Sequence, residues 1–290
     1  MNYRHAYHAG NFGDVLKHVV LIHVLRHMVL KPSPFRVIDV HAGRGLYDLA
    51  SEEAAKTGEW REGVGCFFED GSANEPLPEA LANYVAVVRS FNPAGGLSAY
   101  PGSPAIARAA LRVGDTLVAN ELNPEDNRAL ARRFAKDAQV RVMAVDAYTA
   151  LKSLLPPKER RAVVLIDPPF EEAGEFDRMV KGLGEALRRF KTGVYLLWYP
   201  IKDIKPIEKF HRRVREAVAA PVLAVEFLLR RANNPERLNG AGMLIVNPPF
   251  TLEPALEAAG DVLRRRLTDD RAAGFRFQWL VSEQDLNADS

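Results

Sequence analysis

Apolar side chains recur at helical spacing between residues 14 and 30 (Val15, Leu16, Val19, Val20, Leu25), with Asn11 or Asp14 placed to cap the first turn. After the break Lys31-Pro32-Ser33-Pro34 comes a short β-branched run from Phe35 to Val40, closed by Ala42-Gly43-Arg44-Gly45. That pattern predicts a buried strand feeding a glycine turn. Similar apolar runs follow at 116–119, 140–145, 162–166 and 194–198, with helical patterns at 127–134, 147–155 and 176–190 between them. Strand and helix in alternation predict a parallel sheet covered on both faces, an α/β Rossmann-like architecture. The runs at 222–229 and 243–246 are joined only by the polar stretch 230–242, which has no room for a crossover helix, so this pair is expected to be antiparallel.

Residues 51–112, between the first and second core strands, exceed what one crossover helix requires. The helical spacing at 77–91 predicts a small, mostly helical insertion beside the ligand-binding edge of a single domain spanning 1–290. Only residues 285–290 read as a frayed tail.

Composition narrows the function classes. With 290 residues, 47% of them hydrophobic, the chain can bury a full core. The formal net charge of +2 means that any contact with nucleic acid must come from local patches. One cysteine, Cys66, excludes an internal disulfide framework and a multi-cysteine zinc site. Met1 to His8 has no apolar stretch behind it and does not read as a secretory signal, and no apolar run reaches membrane-spanning length. A cytoplasmic protein is expected. His23 and His27 share one helix face, but the intervening residues lack the glutamate of a zinc-protease helix and no third ligand presents itself, so no metal is expected.

Four positions at the carboxyl ends of successive strands carry the candidate chemistry. The turn from Asp39 through His41 to Gly45 would let backbone approach a nucleotide-like ligand where glycine removes Cβ, although the third glycine of a dinucleotide fingerprint is replaced by Asp48. Glu121 closes the second strand, where a carboxylate can accept both hydroxyls of a ribose, and Asp146 closes the third. Each alone could equally be a loop carboxylate or a helix cap. Together they outline a crevice suited to adenosine. Asp167-Pro168-Pro169-Phe170 ends the fourth strand. Its prolines remove two backbone donors, leaving Asp167 and the Pro168 carbonyl as fixed acceptors for the two hydrogens of a planar amine, with Phe170 able to stack on an extruded base. Asn247-Pro248-Pro249-Phe250 repeats the pattern, but on the expected antiparallel strand it would point to the opposite sheet edge, so Asp167 is the candidate. The densest basic stretch, Lys202, Lys205, Lys209, Arg212, Arg213 and Arg215, ranks first as a phosphate-contacting surface.

Beyond these local patterns, the chain resembles, over its full length, the RlmJ family of bacterial 23S rRNA adenine-N6 methyltransferases. The resemblance is carried by Tyr3-Arg4-His5-Ala6-Tyr7-His8-Ala9-Gly10-Asn11 with Asp14-Val15-Leu16-Lys17-His18, by His41-Ala42-Gly43, by Pro101-Gly102-Ser103-Pro104, by Asp167-Pro168-Pro169 and by Leu197-Trp198-Tyr199-Pro200. It implies a class I methyltransferase fold with a helical insertion, acting as a monomer on bare or partly assembled 23S ribosomal RNA with S-adenosyl-L-methionine as methyl donor. It further implies that His18, His41, Ser103, Glu121, Asp146 and Ala147 contact that donor, that Asp167 is catalytic and close to it, and that Tyr3 touches RNA together with Pro168 and Phe170. Ala147 stands where relatives carry glycine, and Phe170 where many carry tyrosine; the second change removes a hydroxyl and keeps the stacking face. Rival readings are a DNA adenine or cytosine amino-methyltransferase, a nucleic-acid-binding module without chemistry, and a nicotinamide dehydrogenase, the last disfavoured by the incomplete glycine fingerprint.

Overall fold

A computed structural model describes residues 4–68 and 76–288. Its strands are β1 (Arg36–Asp39), β2 (Leu46–Asp48), β3 (Ala99–Pro101), β4 (Thr116–Asn120), β5 (Val140–Met143), β6 (Ala162–Ile166), β7 (Val194–Ile201), β8 (Val222–Leu228), β9 (Gly240–Val246) and β10 (Gly274–Val281). Eight of them form one sheet in the order β10-β8-β9-β7-β6-β1-β4-β5, while β2 and β3 pair apart. β5, β4, β1, β6 and β7 run parallel; β9 is antiparallel to both β7 and β8, and β10 is antiparallel to β8. The expected antiparallel pair is therefore present, and a further edge strand, β10, lies beyond it.

Helices cover both faces. They are α1 (Phe12–Val29), α2 (Glu52–Thr57), α3 (Glu79–Ser90), α4 (Ser103–Ala110), α5 (Pro124–Phe134), α6 (Ala147–Leu154), α7 (Glu175–Arg189), α8 (Ile204–Ala217), α9 (Leu252–Leu267) and α10 (Glu283–Ala288). Alternate strand residues feed two cores. Val37, Leu117, Val163, Leu196 and Val225 join α1, α3, α4 and α9, whereas Ile38, Val118, Val164, Leu197 and Ala224 join α6, α7 and α8. Double coverage is why these strands read as continuous apolar runs rather than as alternating ones.

Residues 51–112 contain α2, a short 3-10 helix, α3, β3 and α4. α1 packs against α3, α4 and α9 and against β7 and β9, so its residues 12–22 are all buried. Asn11 caps it by accepting the Asp14 amide at 3.1 Å. This part of the helix has no wet face, and its polar residues Asp14, Lys17 and His18 are buried.

β1 lies between β4 and β6, so the chain proceeds to opposite sides of it. In an open α/β sheet that reversal leaves a crevice beyond the carboxyl ends of the strands. Asn247 sits at the other end of the sheet: its side-chain amide donates to the carbonyls of Lys191 and Gly193, both at 2.8 Å, just before β7 begins. His23 donates to or accepts from Thr251 Oγ1 at 3.0 Å and serves packing.

Burial holds the His18 pKa down at about 3, so its ring stays neutral in the fold well below the pH at which an unfolded histidine takes a proton. The unfolded chain therefore binds the extra proton between about pH 6.5 and 3, and the neutral ring's contribution is complete above that window and is lost as pH falls through it. Its share of the acid loss of stability amounts to as much as about 1.4 kcal/mol per pH unit. His18→Asn, which keeps a polar atom facing Tyr100, is expected to show a shallower fall in Tm between pH 7 and pH 4.5 (about the window of that titration); an unchanged slope would contradict the assignment.

Candidate active site

The crevice is a cavity of about 640 Å³, inside the range of small-molecule sites. Its floor is the carboxyl edge of β1, β4, β6 and β7, and its walls come from α1, the glycine turn, and the loops after β7 and β8. His18, His41, Ser103, Glu121, Asp167, Pro168 and Phe170 all line it. Asp146 and Ala147 do not. The Asp146 carboxylate instead caps α6 by accepting the Thr149 amide at 2.8 Å, and Ala147 is buried in the helix's first turn. Tyr3 lies outside the described residues.

At the glycine turn, Gly43 adopts φ +59°, and a Cβ there would meet the Tyr47 hydroxyl at 2.3 Å. Glycine is thus required by both the backbone and the neighbour. The Gly43 amide donates to Glu121 Oε2 at 2.8 Å and the Asn123 amide to Oε1 at 2.7 Å. Glu121 therefore closes the turn at the end of β4 with one lone pair of each oxygen. Burial raises its pKa above the ordinary glutamate value, partly offset by those two amides.

Beneath the turn, Asp39 is buried at the end of β1. It accepts from Ser103 Oγ at 2.6 Å and from the His41 amide at 3.3 Å. Burial pushes its carboxyl up to about 7 despite these bonds. Ser103 thus opens α4 while tethering it to β1. His41 accepts the Asp167 amide on Nδ1 at 3.2 Å, which leaves Nε2 as the protonated nitrogen. Burial lowers the His41 pKa to about 4, so the ring is neutral near pH 7.

The corner at Asp167 is built by residues from three parts of the chain. Lys17 Nζ donates to Asp167 Oδ2 at 2.6 Å and lies 2.7 Å from Asp14 Oδ1. Asp14 Oδ2 in turn meets His5 Nε2 at 2.9 Å and accepts the Gly10 amide at 2.8 Å. Burial opposes the Lys17 charge, but attraction to Asp14 and Asp167 outweighs it and lifts the lysine pKa above its usual value. No other hydrogen bond to the Asp167 carboxylate occurs among the described residues, so Oδ1 retains its acceptor capacity. Phe170 follows in a left-handed backbone at φ +49°, a conformation that costs a bulky residue of order 1–3 kcal/mol. Its ring is fixed edge-on against Phe176 at 5.0 Å and Trp198 at 6.2 Å.

Lys17, Asp14 and His5 have no counterpart among the residues picked out by strand-end reasoning. One signal was available: a helix apolar on all sides leaves a lysine no route to water, and a buried ammonium requires carboxylate partners. Two unpaired polar atoms complete the cavity. His18, whose Nδ1 is 2.8 Å from the Tyr100 hydroxyl, leaves Nε2 buried without a partner, and Trp198 Nε1 is in the same state. Both residues line the cavity. A buried polar atom aimed into a cavity and left unpaired is a site for a ligand's hydrogen bond.

A family model described as ribosomal RNA large subunit methyltransferase D, RlmJ, matches residues 32–281. The chain is 37% identical over 283 residues to ribosomal RNA large subunit methyltransferase J of Escherichia coli (strain K12), covering 98% of this chain and 100% of that protein. It is 36% identical over 284 residues to the Haemophilus influenzae protein of the same name, again over 98% and 100% of the two chains. A crystal structure of a Legionella pneumophila protein superposes with a TM-score of 0.85 at 31% identity, over 94% of this chain and 98% of that one. The full-length match in sequence and the family model's match over most of the chain lead to a single statement: the chain belongs to the RlmJ family of ribosomal RNA large subunit methyltransferases.

Proposed function

We propose that the protein transfers a methyl group from S-adenosyl-L-methionine to the exocyclic N6 amine of an adenine in 23S ribosomal RNA, extruded from its stack, and that it acts as a cytoplasmic monomer. The observation that carries this reading is the Asp167 carboxylate at the cavity wall, with Oδ2 held by Lys17 and Oδ1 open beside Pro168 and Phe170. Relatives named ribosomal RNA large subunit methyltransferase J support the RNA substrate.

The residues present fit the methyl donor. The unpaired His18 Nε2 offers a hydrogen bond to its polar amino-acid end, the Gly43 backbone admits close approach, and Glu121 has lone pairs left for ribose hydroxyls. When bound, S-adenosylmethionine supplies an electrophilic methyl on a sulfonium. Asp146 and Ala147, at the capped start of α6, are assigned to the same donor although they do not line the cavity, and Tyr3 to the RNA.

An adenine amine is a weak nucleophile because its lone pair is delocalised into the ring, so the protein's main task is orientation. Asp167 Oδ1 would accept one amine hydrogen and the Pro168 carbonyl the other. With both hydrogens held, the nitrogen's remaining electron density is aimed away from them, toward the donor. Phe170 and Trp198 give the base an aromatic wall on which to rest after leaving its stack. Methylated nitrogen becomes strongly acidic, and Asp167 receives its proton. Lys17 fixes the carboxylate plane so that Oδ1 faces the amine, a positioning role.

Protein-free 23S rRNA and duplex DNA, offered separately with labelled methyl donor and read by mass spectrometry for N6-methyladenine, test the assignment. Methylation of rRNA is expected, and activity on DNA alone would sink it. Asp167→Ala should lower kcat by about 10²–10⁴-fold, the usual scale of positioned proton transfer, with donor affinity by calorimetry nearly unchanged. Lys17→Met should reduce kcat and also lower the unfolding midpoint, because it leaves Asp14 and Asp167 facing each other without a cation; losing one partner of a buried pair costs about 3–5 kcal/mol. A Lys17→Met protein as stable and active as the parent would show that the triad is dispensable.

A further inference from the structure

The mouth of the cavity is electrically divided. Glu59, Glu62, Glu121 and Asp126 line the side formed by the insertion and the glycine turn. Lys202, Arg230 and Arg237 line the side formed by the loops after β7 and β8, accompanied there by Glu236. Lys202 and Arg237 are exposed and Arg230 is half-buried, and none of the three makes an ion pair among the described residues. Cations left without carboxylate partners at the rim of a substrate cavity are free to meet an anion.

Their placement is built into the sheet. Ile201, Leu228 and Gly240 lie in register at one end of β7, β8 and β9, so the two loops emerge side by side. Asn239, fully buried, ties them together. Its side-chain amide donates to the carbonyls of Lys202 at 2.8 Å and Asn234 at 2.7 Å. Its backbone amide donates to Ile201, and its carbonyl accepts from Leu229 at 2.9 Å and Arg230 at 3.3 Å. One residue thereby holds the backbone beneath two of the three cations and stiffens the loop that carries the third, so little ordering remains to be done when a ligand arrives.

The basic stretch after β7 divides in the structure. Lys202 belongs to this wall, but Lys205, Lys209, Arg212, Arg213 and Arg215 lie on α8, line no part of the cavity, and Arg213 is paired with Asp177. Phosphates adjoining an extruded nucleotide must sit at the cavity rim, where α8's outer face does not reach.

We propose that Lys202, Arg230 and Arg237 form a phosphate-binding wall that receives the RNA backbone flanking the extruded adenine. The proposal rests on the reading of the cavity as an RNA methyltransferase site and adds the side from which the strand enters. The opposite rim, where Asp126 is paired with Arg44 and Glu59 with His8, offers no unpaired cation among the described residues to the same backbone, which fixes the polarity of docking.

The test is binding of protein-free 23S rRNA across a range of salt by the wild type, by Lys202→Gln/Arg230→Gln/Arg237→Gln, and by Lys209→Gln/Arg212→Gln/Arg215→Gln, which removes as much charge from α8. The first variant is expected to bind at least about tenfold more weakly, with the slope of log K against log salt shallower by about two, as loss of three single-strand phosphate contacts implies. Its calorimetric affinity for S-adenosylmethionine should stay within about twofold of the parent, which excludes misfolding as the cause. The α8 variant should keep most of the parent's slope. An unaltered slope in the first variant, or an equal loss in the second, overturns the wall. If the wild type methylates no rRNA while the slopes still separate as expected, the activity reading fails and the wall stands; if rRNA is methylated and the slopes do not separate, the reverse holds.

Discussion

One buried ion triad organises the corner of the cavity at Asp167: Lys17 between Asp14 and Asp167. Removing three charges from water costs several kcal/mol per ion, and the mutual attraction offsets it only with close geometry and further hydrogen bonds. Both conditions are met, with contacts of 2.6 and 2.7 Å and the Gly10 amide and His5 ring satisfying the far side of Asp14. A hydrophobic trio would serve stability equally well. What the charges add is direction, because an ammonium donates along fixed lines and so sets the orientation of the Asp167 carboxylate. The same contact joins the opening helix to the end of β6, 150 residues later in the chain.

The large features of the fold were legible because they follow from burial. Core strands covered on both faces read as unbroken apolar runs, and the absence of a helix between β8 and β9 announced their antiparallel pairing. β2 and β3 escaped because three residues carry no periodicity, and β10 because its outward positions are polar and it lies at the sheet edge. At the site, Glu121 and Asp167 could be found from strand ends alone. Asp146, read from a strand end in the same way, accepts the Thr149 amide through Oδ1 and so also caps the helix that follows. His18 and Ser103 gave no local signal, since their partners Tyr100 and Asp39 are distant in sequence.

Titration follows position in the cavity. His18 and His41 are held neutral by burial, while Asp39 and Glu121 are pushed toward the protonated form by the same cause. Charge persists where partners are supplied, in the Lys17 triad inside and in the pairs Asp126 with Arg44 and Glu59 with His8 on one rim, while Lys202, Arg230 and Arg237 stand without carboxylate partners among the described residues on the other.

The two proline-pair tetrapeptides show why a motif is not a site. In one, the left-handed residue is the last, Phe170; in the other it is the first, Asn247, at φ +53°. Asn247 places both amide hydrogens on backbone carbonyls and so closes a turn. Asp167, at the opposite end of the sheet, has one oxygen held by a remote lysine and the other facing a cavity. Identical prolines stiffen both segments. Strand polarity decides which end of the sheet each one reaches, and only at the end where α1 brings Lys17 does the stiff segment meet a cavity and a buried charge.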